Sequence, residues 1–285
     1  MNHFGSAQFI SHPLQWLNTE GAVTVSLDRE LRTTFNDVAE IYDEVRPGYP
    51  EHLIEDVVSL SAIPSGGYIL EIGCGTGKAT VPFARRKYAM ICLELSKNMA
   101  WLASELCRPY PRVDVQNISF EEWPLQANTF DLVICAEAFH WISPDIRLVK
   151  TAASLKSGGS IALFWHGHHG GRSKFFQEAE DVYRKKVPQL ADMRKKTPDE
   201  LQRETVEEIE GSNLFGKVIV RRYPWREVYS AERYVKLVST YSPIQHLAEN
   251  VRQSVLGNIR ELIARHGGVV ESEYLSRLYV ARVRR

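Results

Sequence analysis

From residue 68 onward the chain alternates short apolar-rich runs with segments of helix length. Tyr68–Ile72, Ala89–Leu93, Val113–Ile118, Phe130–Ala136 and Ser160–Trp165 have strand length, and Lys78–Arg86, Ser96–Leu106 and Pro144–Leu155 between them carry helical spacing. Strands that stay apolar along their length are buried on both faces, so the pattern predicts a parallel sheet covered by helices on either side. Upstream, Phe35–Glu44 and Glu51–Leu60 read as helices separated by the turn Arg46-Pro47-Gly48-Tyr49-Pro50. Pro50 suits the first turn of the second helix, where no backbone donor is needed. After Trp165 the rhythm changes to a highly charged stretch of mixed sign with helical segments at Phe175–Lys186 and Asp199–Glu210, which predicts a solvated helical insertion or lid. Strands return at Lys217–Tyr223 and Tyr274–Val283, around helices at Ala231–Thr240 and Ile244–His266.

Seven strands are therefore expected, in a mostly parallel sheet finished by an antiparallel edge. The chain divides into an N-terminal extension (1–34), a core (35–165), an insertion or lid (166–216) and a segment that completes the sheet and adds substrate-side helices (217–285). At 285 residues, 44% hydrophobic and 25% charged, the chain can bury a substantial core. Lys plus Arg equals Asp plus Glu at 35 each, so no overall positive field draws it to nucleic acid or to an anionic membrane. There is no basic leader followed by an apolar run, and no eighteen apolar residues in succession. A soluble cytoplasmic protein, monomeric or homodimeric, is expected. Cys74, Cys92, Cys107 and Cys135 lack metal-type spacing and read as small buried thiols.

Candidate chemistry centres on Ile69-Leu70-Glu71-Ile72-Gly73-Cys74-Gly75-Thr76-Gly77-Lys78, an apolar strand running into three alternate glycines and then a helix. Glycine serves where a backbone turns sharply or a ligand approaches without meeting a Cβ, and a following helix offers free N–H groups. A dinucleotide turn needs glycine at the position of Lys78. A phosphate loop needs glycine at Ile72 and a hydroxyl residue at Ala79. Neither pattern is met. Glu71 suits a ligand carrying positive charge, and Glu94, at the carboxyl end of the second strand, suits the two hydroxyls of a ribose. Ser96 then caps the next helix.

With these residues in place the sequence resembles the class I S-adenosylmethionine-dependent methyltransferases, specifically the type 11 methyltransferase domain family that includes small-molecule enzymes of the trans-aconitate methyltransferase kind. The resemblance runs from about Phe35 to Trp165. Tyr42–Pro50 (YDEVRPGYP) is similar to the family's lead-in segment, residues 69–80 (ILEIGCGTGKAT) to its glycine-rich motif, and Ile118–Trp123 to the segment after the third strand. Phe130–Ala136 with Ala138–Trp141 resembles the fourth strand and active-site loop, and Leu155–Ser160 the turn before strand five. It implies a Rossmann-like class I methyltransferase fold, S-adenosylmethionine as cofactor and S-adenosylhomocysteine as product. The implied cofactor contacts are Tyr42, Arg46, Glu71, Gly73, Cys74, Gly75, Thr76, Gly77, Glu94, Leu95, Ser119, Phe120 and Ala136. Asn117-Ile118-Ser119 stands where many relatives carry Gly-Asp, so a hydroxyl or the backbone is expected to read the adenine amino group.

Methyl transfer from a sulfonium is an in-line displacement with an activated leaving group, so the protein mainly positions the acceptor and excludes water. A small-molecule acceptor bearing a carboxylate, hydroxyl or amine is expected. An RNA or protein acceptor, or binding without turnover, are the alternatives. The expected base is His140, whose other reading is a pocket-shaping residue beside Trp141. Arg46 could grip the cofactor carboxylate or sit as a surface turn residue. His166, His168 and His169 lack a Cys or carboxylate partner at ligand spacing, and no metal is expected. Trp16, Tyr223, Trp225 and Tyr241 are unassigned aromatics.

Overall fold

The computed structural model describes residues 38–168, 173–188 and 197–284. The start of the first expected helix, the N-terminal extension with Trp16, His169 and the Arg194-Lys195-Lys196 run lie outside the described residues. Seven strands form one sheet in the order β3-β2-β1-β4-β5-β7-β6. They are β1 (Tyr68–Ile72), β2 (Ala89–Leu93), β3 (Val113–Gln116), β4 (Phe130–Ala136), β5 (Leu155–His168), β6 (Ile219–Ser230) and β7 (Val269–Arg282). The first five run parallel, while β7 is inserted antiparallel between β5 and β6. The antiparallel strand is thus internal, one place in from the edge, and β6 closes the sheet.

Two lead-in helices, α1 (Ala39–Val45) and α2 (Glu51–Ser61), precede the sheet. They are followed by α3 (Thr80–Arg85), α4 (Lys97–Cys107) and α5 (Pro144–Ser154). The apolar faces of α2 and α3 bury Leu53, Ile54, Val57 and Phe83 against Ile69, Met90 and Ile134 on one side of the sheet. Leu148 and Ala152 of α5 pack with Leu70, Val133 and Leu163 on the other. Ser96 accepts a hydrogen bond from Met99 N–H, the N-cap expected for α4. The strand β3 stops two residues early because Asn117 Nδ2 donates to the carbonyls of Glu94 (2.8 Å) and Leu95 (2.9 Å), turning the chain out of the ladder.

The stretch expected as one helical insertion divides in two. Ile209 of α7 (Pro198–Gly211) packs among Leu148, Phe215 and Val218 on the sheet face, and Glu208 pairs with Arg147 of α5. α7 is therefore part of the sheet's covering layer. By contrast, α6 (Lys174–Lys186) packs Phe175, Phe176 and Tyr183 against α8 (Ala231–Ser239), α9 (Ser242–Gln245) and α10 (Glu249–Arg265). The helix expected over Ile244–His266 is two helices, because Ala248 between them is extended at ψ 141°. This cap rests on the far ends of β6 and β7, where residues Val269–Glu273 pair with β6 alone. Tyr229 and Tyr274 hydrogen-bond to each other there at 2.8 Å within the cap's core. Thr240, after α8, accepts from Arg46 Nε at 2.9 Å, tying the cap to the lead-in segment. No helix among the described residues is long and apolar enough to cross a membrane.

Candidate active site

The carboxyl ends of the parallel strands open onto two adjoining clefts, where ligands of open α/β sheets bind. One, about 720 Å³, is lined by Ile72, Leu93, Glu94, Leu95, Met99, Ile118, Ser119, Phe120, Trp141 and Ile142. The other, about 590 Å³, lies under the cap and is lined by Arg46, Tyr49, Cys74, Thr76, Lys78, His166, Leu237, Tyr241 and Tyr274. Tyr42, Gly73, Gly75, Ala136 and Glu137 line both, so the clefts meet over the glycine-rich turn.

β1 delivers the chain to Gly73, whose N–H and that of Cys74 both donate to Leu93 O at 2.9 and 3.0 Å. Gly73 has φ +68°, and a Cβ there would lie 2.5 Å from that of Ala138, a separation real side chains do not tolerate. Gly75, at φ +57°, donates its N–H to Glu94 Oε2 at 2.8 Å, and a Cβ on it would meet nothing within 4 Å. The other Glu94 oxygen accepts from Ser96 N–H at 2.7 Å. Two backbone donors therefore fix this carboxylate at the cleft wall, and each oxygen keeps acceptor capacity for a diol.

The lead-in segment is locked to the turn by contacts the sequence did not reveal. Thr76 Oγ1 donates to Asp43 Oδ1 at 2.7 Å, and Lys78 Nζ donates to Asp43 O at 2.6 Å while facing its carboxylate at 3.4 Å. The Arg46 guanidinium lies over the rings of Tyr42 (5.0 Å) and Tyr241 (4.2 Å), bridging α1 to the cap. On the other side, Lys150 Nζ donates to the carbonyls of Phe120, Glu121 and Trp123, which holds the loop after β3 against the larger cleft. Ser119 Oγ donates to Glu122 Oε2 at 2.9 Å and accepts from Glu122 N–H at 3.2 Å, so its hydroxyl shapes that loop.

Eleven of the thirteen expected contacts line a cleft: Tyr42, Arg46, Gly73, Cys74, Gly75, Thr76, Glu94, Leu95, Ser119, Phe120 and Ala136. Two do not. Gly77 turns back toward α4, where a Cβ would lie 3.7 Å from Ala103, so it serves close packing instead of ligand approach. Glu71 is fully buried beneath the turn, with Oε2 accepting from Thr80 Oγ1 at 2.7 Å. Its expected direct contact with a cationic ligand is replaced by a tie between β1 and α3.

Burial pushes the Glu71 pKa up to about 7, opposed by its bonds from Thr80 and Cys92. In the unfolded chain it would titrate near 4.5. The folded protein thus binds an extra proton between the two values, and stability contributed by the neutral acid is lost as pH rises through that window. Glu71→Gln should remove this dependence. Relative to the variant, the wild type is expected to lose about 3 kcal/mol of unfolding free energy between pH 4.5 and 8. Denaturant unfolding of both proteins across that range checks this, and a constant difference would contradict it.

His140 is also corrected as the base. It sits in the one-turn 3₁₀ helix Phe139–Trp141, lines neither cleft, and lies tilted at 41° against Trp141 with ring centroids 4.7 Å apart. Burial, together with the charge of Arg147, holds its pKa down near 3, so it is neutral and weakly basic at physiological pH. Trp141 lines the larger cleft instead. The acid that does face both clefts is Glu137, in the left-handed region at φ +61° directly after β4. Such a backbone is unfavourable for a residue with a Cβ, and such strain clusters at functional sites. The signal in the sequence is its position, one residue past the fourth strand.

His166 lines the smaller cleft, stacked on Tyr49 at 4.6 Å with Nδ1 hydrogen-bonded to Ser276 Oγ at 2.8 Å. Among the described residues no three His, Cys, Asp or Glu gather as metal ligands. Of the unassigned aromatics, Tyr241 lines the smaller cleft, and Trp225 stacks on Tyr274 behind it at 4.2 Å. Tyr223 instead bonds Asp56 at 2.7 Å away from both clefts. All four cysteines are buried, and none forms a disulfide among the described residues.

Comparison with known proteins agrees with this geometry. Residues 69–159 match the family model described as a methyltransferase domain. An uncharacterised methyltransferase-like protein of Schizosaccharomyces pombe is 28% identical over 234 residues, covering 82% of this chain and 86% of that protein. A structure described as a type II methyltransferase from Anaeromyxobacter dehalogenans superposes with a TM-score of 0.58 at 18% identity, covering 83% of this chain and 97% of that one. The phosphoethanolamine N-methyltransferase 2 of Haemonchus contortus, solved with phosphomonomethylethanolamine and S-adenosylhomocysteine, gives a TM-score of 0.52 at 18% identity over 92% of this chain and 60% of its own. These likenesses support the superfamily and not specifically the trans-aconitate kind of enzyme. The glycine-rich turn, the acidic strand end and the strand order are all present, and the chain is similar in sequence and fold to the class I S-adenosylmethionine-dependent methyltransferases.

Proposed function

We propose that the larger cleft holds the nucleoside of the cofactor, that its methionine portion crosses the glycine turn to the edge of the smaller cleft, and that the rest of the smaller cleft holds a small-molecule methyl acceptor, with the reactive centre where the two clefts meet. The observation that carries this is the shared wall of Tyr42, Gly73, Gly75, Ala136 and Glu137. S-adenosylmethionine fits the residues present. Glu94 would accept from the ribose hydroxyls, and the apolar side chains of Leu95, Met99, Ile118 and Phe120 would flank the purine. Gly73 and Gly75 leave the turn bare for the methionine portion, and the Arg46 and Lys78 cations border the smaller cleft where its carboxylate would lie. When bound, the cofactor supplies an electrophilic methyl on a sulfonium. The protein's own residues orient the acceptor and exclude water beneath the cap.

A small acceptor is favoured over a macromolecule because the second cleft is roofed by Leu237 and Tyr241 of the cap and walled by tyrosines. The chain also has no excess of positive charge to gather nucleic acid. Calorimetric titration with S-adenosylhomocysteine, with NAD and ATP as controls, tests the cofactor assignment. Micromolar binding of S-adenosylhomocysteine alone is expected, and binding of a control nucleotide in its place would reject the reading.

A further inference from the structure

Resting on that reading, the geometry points to Glu137 as the proton acceptor in methyl transfer and to a neutral, planar hydroxyl compound as the acceptor class. Among the described residues Glu137 is the one carboxylate lining both clefts, beside the bare turn at Gly73 and Gly75. Its backbone and its side chain are both held, since its own N–H donates to Phe164 O at 3.1 Å and one carboxylate oxygen accepts from His166 N–H. The second oxygen has no hydrogen-bond partner among the described residues and is left to the cleft.

The charges around it decide what can bind. Glu137 is faced by Arg46 at the end of α1, Arg277 on β7, His166 on β5 and the phenols of Tyr42, Tyr49 and Tyr241. Burial raises its pKa to about 7, against the lowering pull of the His166 N–H and the two arginines. An acid poised there takes a proton efficiently near neutral pH. The Arg46 guanidinium already occupies the faces of Tyr42 and Tyr241, so an ammonium acceptor would meet a fixed like charge on the same rings. A carboxylate acceptor has no proton to give and would face the Glu137 anion. A neutral hydroxyl compound avoids both repulsions, and its ring can pack among Tyr49, His166 and Tyr274.

In the step itself Glu137 takes the hydroxyl proton as the acceptor oxygen forms its bond to the methyl carbon. The carbon–sulfur bond breaks, its electron pair returns to sulfur, and a methyl ether and neutral thioether remain beside a protonated Glu137.

The test needs no identified acceptor. Sinefungin carries a primary ammonium where S-adenosylmethionine carries its methyl, so its preference over S-adenosylhomocysteine reports a carboxylate at that point. In the wild type this preference should grow about tenfold from pH 6 to pH 8. It should be flat in Glu137→Gln, with S-adenosylhomocysteine affinity retained as proof that the variant folds. A pH-independent preference in the wild type, or the same rise in Glu137→Gln, overturns the assignment, whereas failure of S-adenosylhomocysteine to bind either protein overturns the underlying cofactor reading. In the second arm, 2-naphthol and 2-naphthoate are titrated into protein saturated with S-adenosylhomocysteine. Tighter binding of 2-naphthol supports the hydroxyl class. Tighter binding of 2-naphthoate, or none of 2-naphthol at millimolar concentration, overturns it.

Discussion

Gly75→Arg should weaken S-adenosylhomocysteine binding by at least a hundredfold while the fold survives. The direction a side chain would take from Gly75 is open, since its Cβ would meet no atom within 4 Å, and the residue lines both clefts. An arginine there grows into the space the ligand needs and breaks no packing. The left-handed φ of +57° adds about 1 kcal/mol of backbone strain, which a protein of ordinary stability absorbs. Gly73 makes an instructive contrast. Even alanine there would drive a Cβ to 2.5 Å from Ala138, so substitution is expected to disturb the turn itself as well as the ligand. Calorimetry with S-adenosylhomocysteine beside a thermal melt separates the two cases, and near-normal affinity in Gly75→Arg would remove the turn from the site.

Glu94→Ala is expected to cost a further kind of interaction, about a hundredfold in S-adenosylhomocysteine affinity, or roughly 3 kcal/mol. The carboxylate is preorganised by Gly75 N–H and Ser96 N–H, so its removal takes away the diol acceptor and also leaves two donors of the cleft wall without their partner. Glu94→Gln discriminates between these effects. It keeps one acceptor oxygen but places an amide donor against a backbone donor, so affinity should fall between wild type and alanine. Equal affinity for all three proteins would show that the ribose hydroxyls lie elsewhere.

Both effects act on positions that could be read before any coordinates, because they sit where local pattern and ligand chemistry coincide. An apolar strand must end at the edge of its sheet, and three alternate glycines after it mark a turn that leaves room for a ligand. The next strand then puts an acid at the same edge by parallel register, with Glu71 opposite Cys92 and Ile72 opposite Leu93. The strand periodicity, the parallel half of the sheet and most of the larger cleft's wall follow from such short-range rules.

Burial and partnership over long separations were not legible. Whether Glu71 meets the ligand or the interior depends on which face of β1 it occupies and on Thr80, nine residues away, turning back to it. His140 and Glu137 are three residues apart, yet the left-handed backbone at Glu137 sends its carboxylate to the clefts while His140 is folded against Trp141. The cap was harder still, since it joins α6 to helices more than fifty residues later and hangs on the extended ends of β6 and β7.

By itself the sequence determined the alternation that makes the parallel sheet, the glycine turn and the acid that follows it, because each depends on residues close together in the chain. Only the tertiary structure decided that β7 lies inside β6, that α7 covers the sheet while α6 joins the cap, and that Glu137 is the acid lining both clefts. Those outcomes depend on which distant side chains exclude water together, a balance of burial and charge that no local pattern encodes.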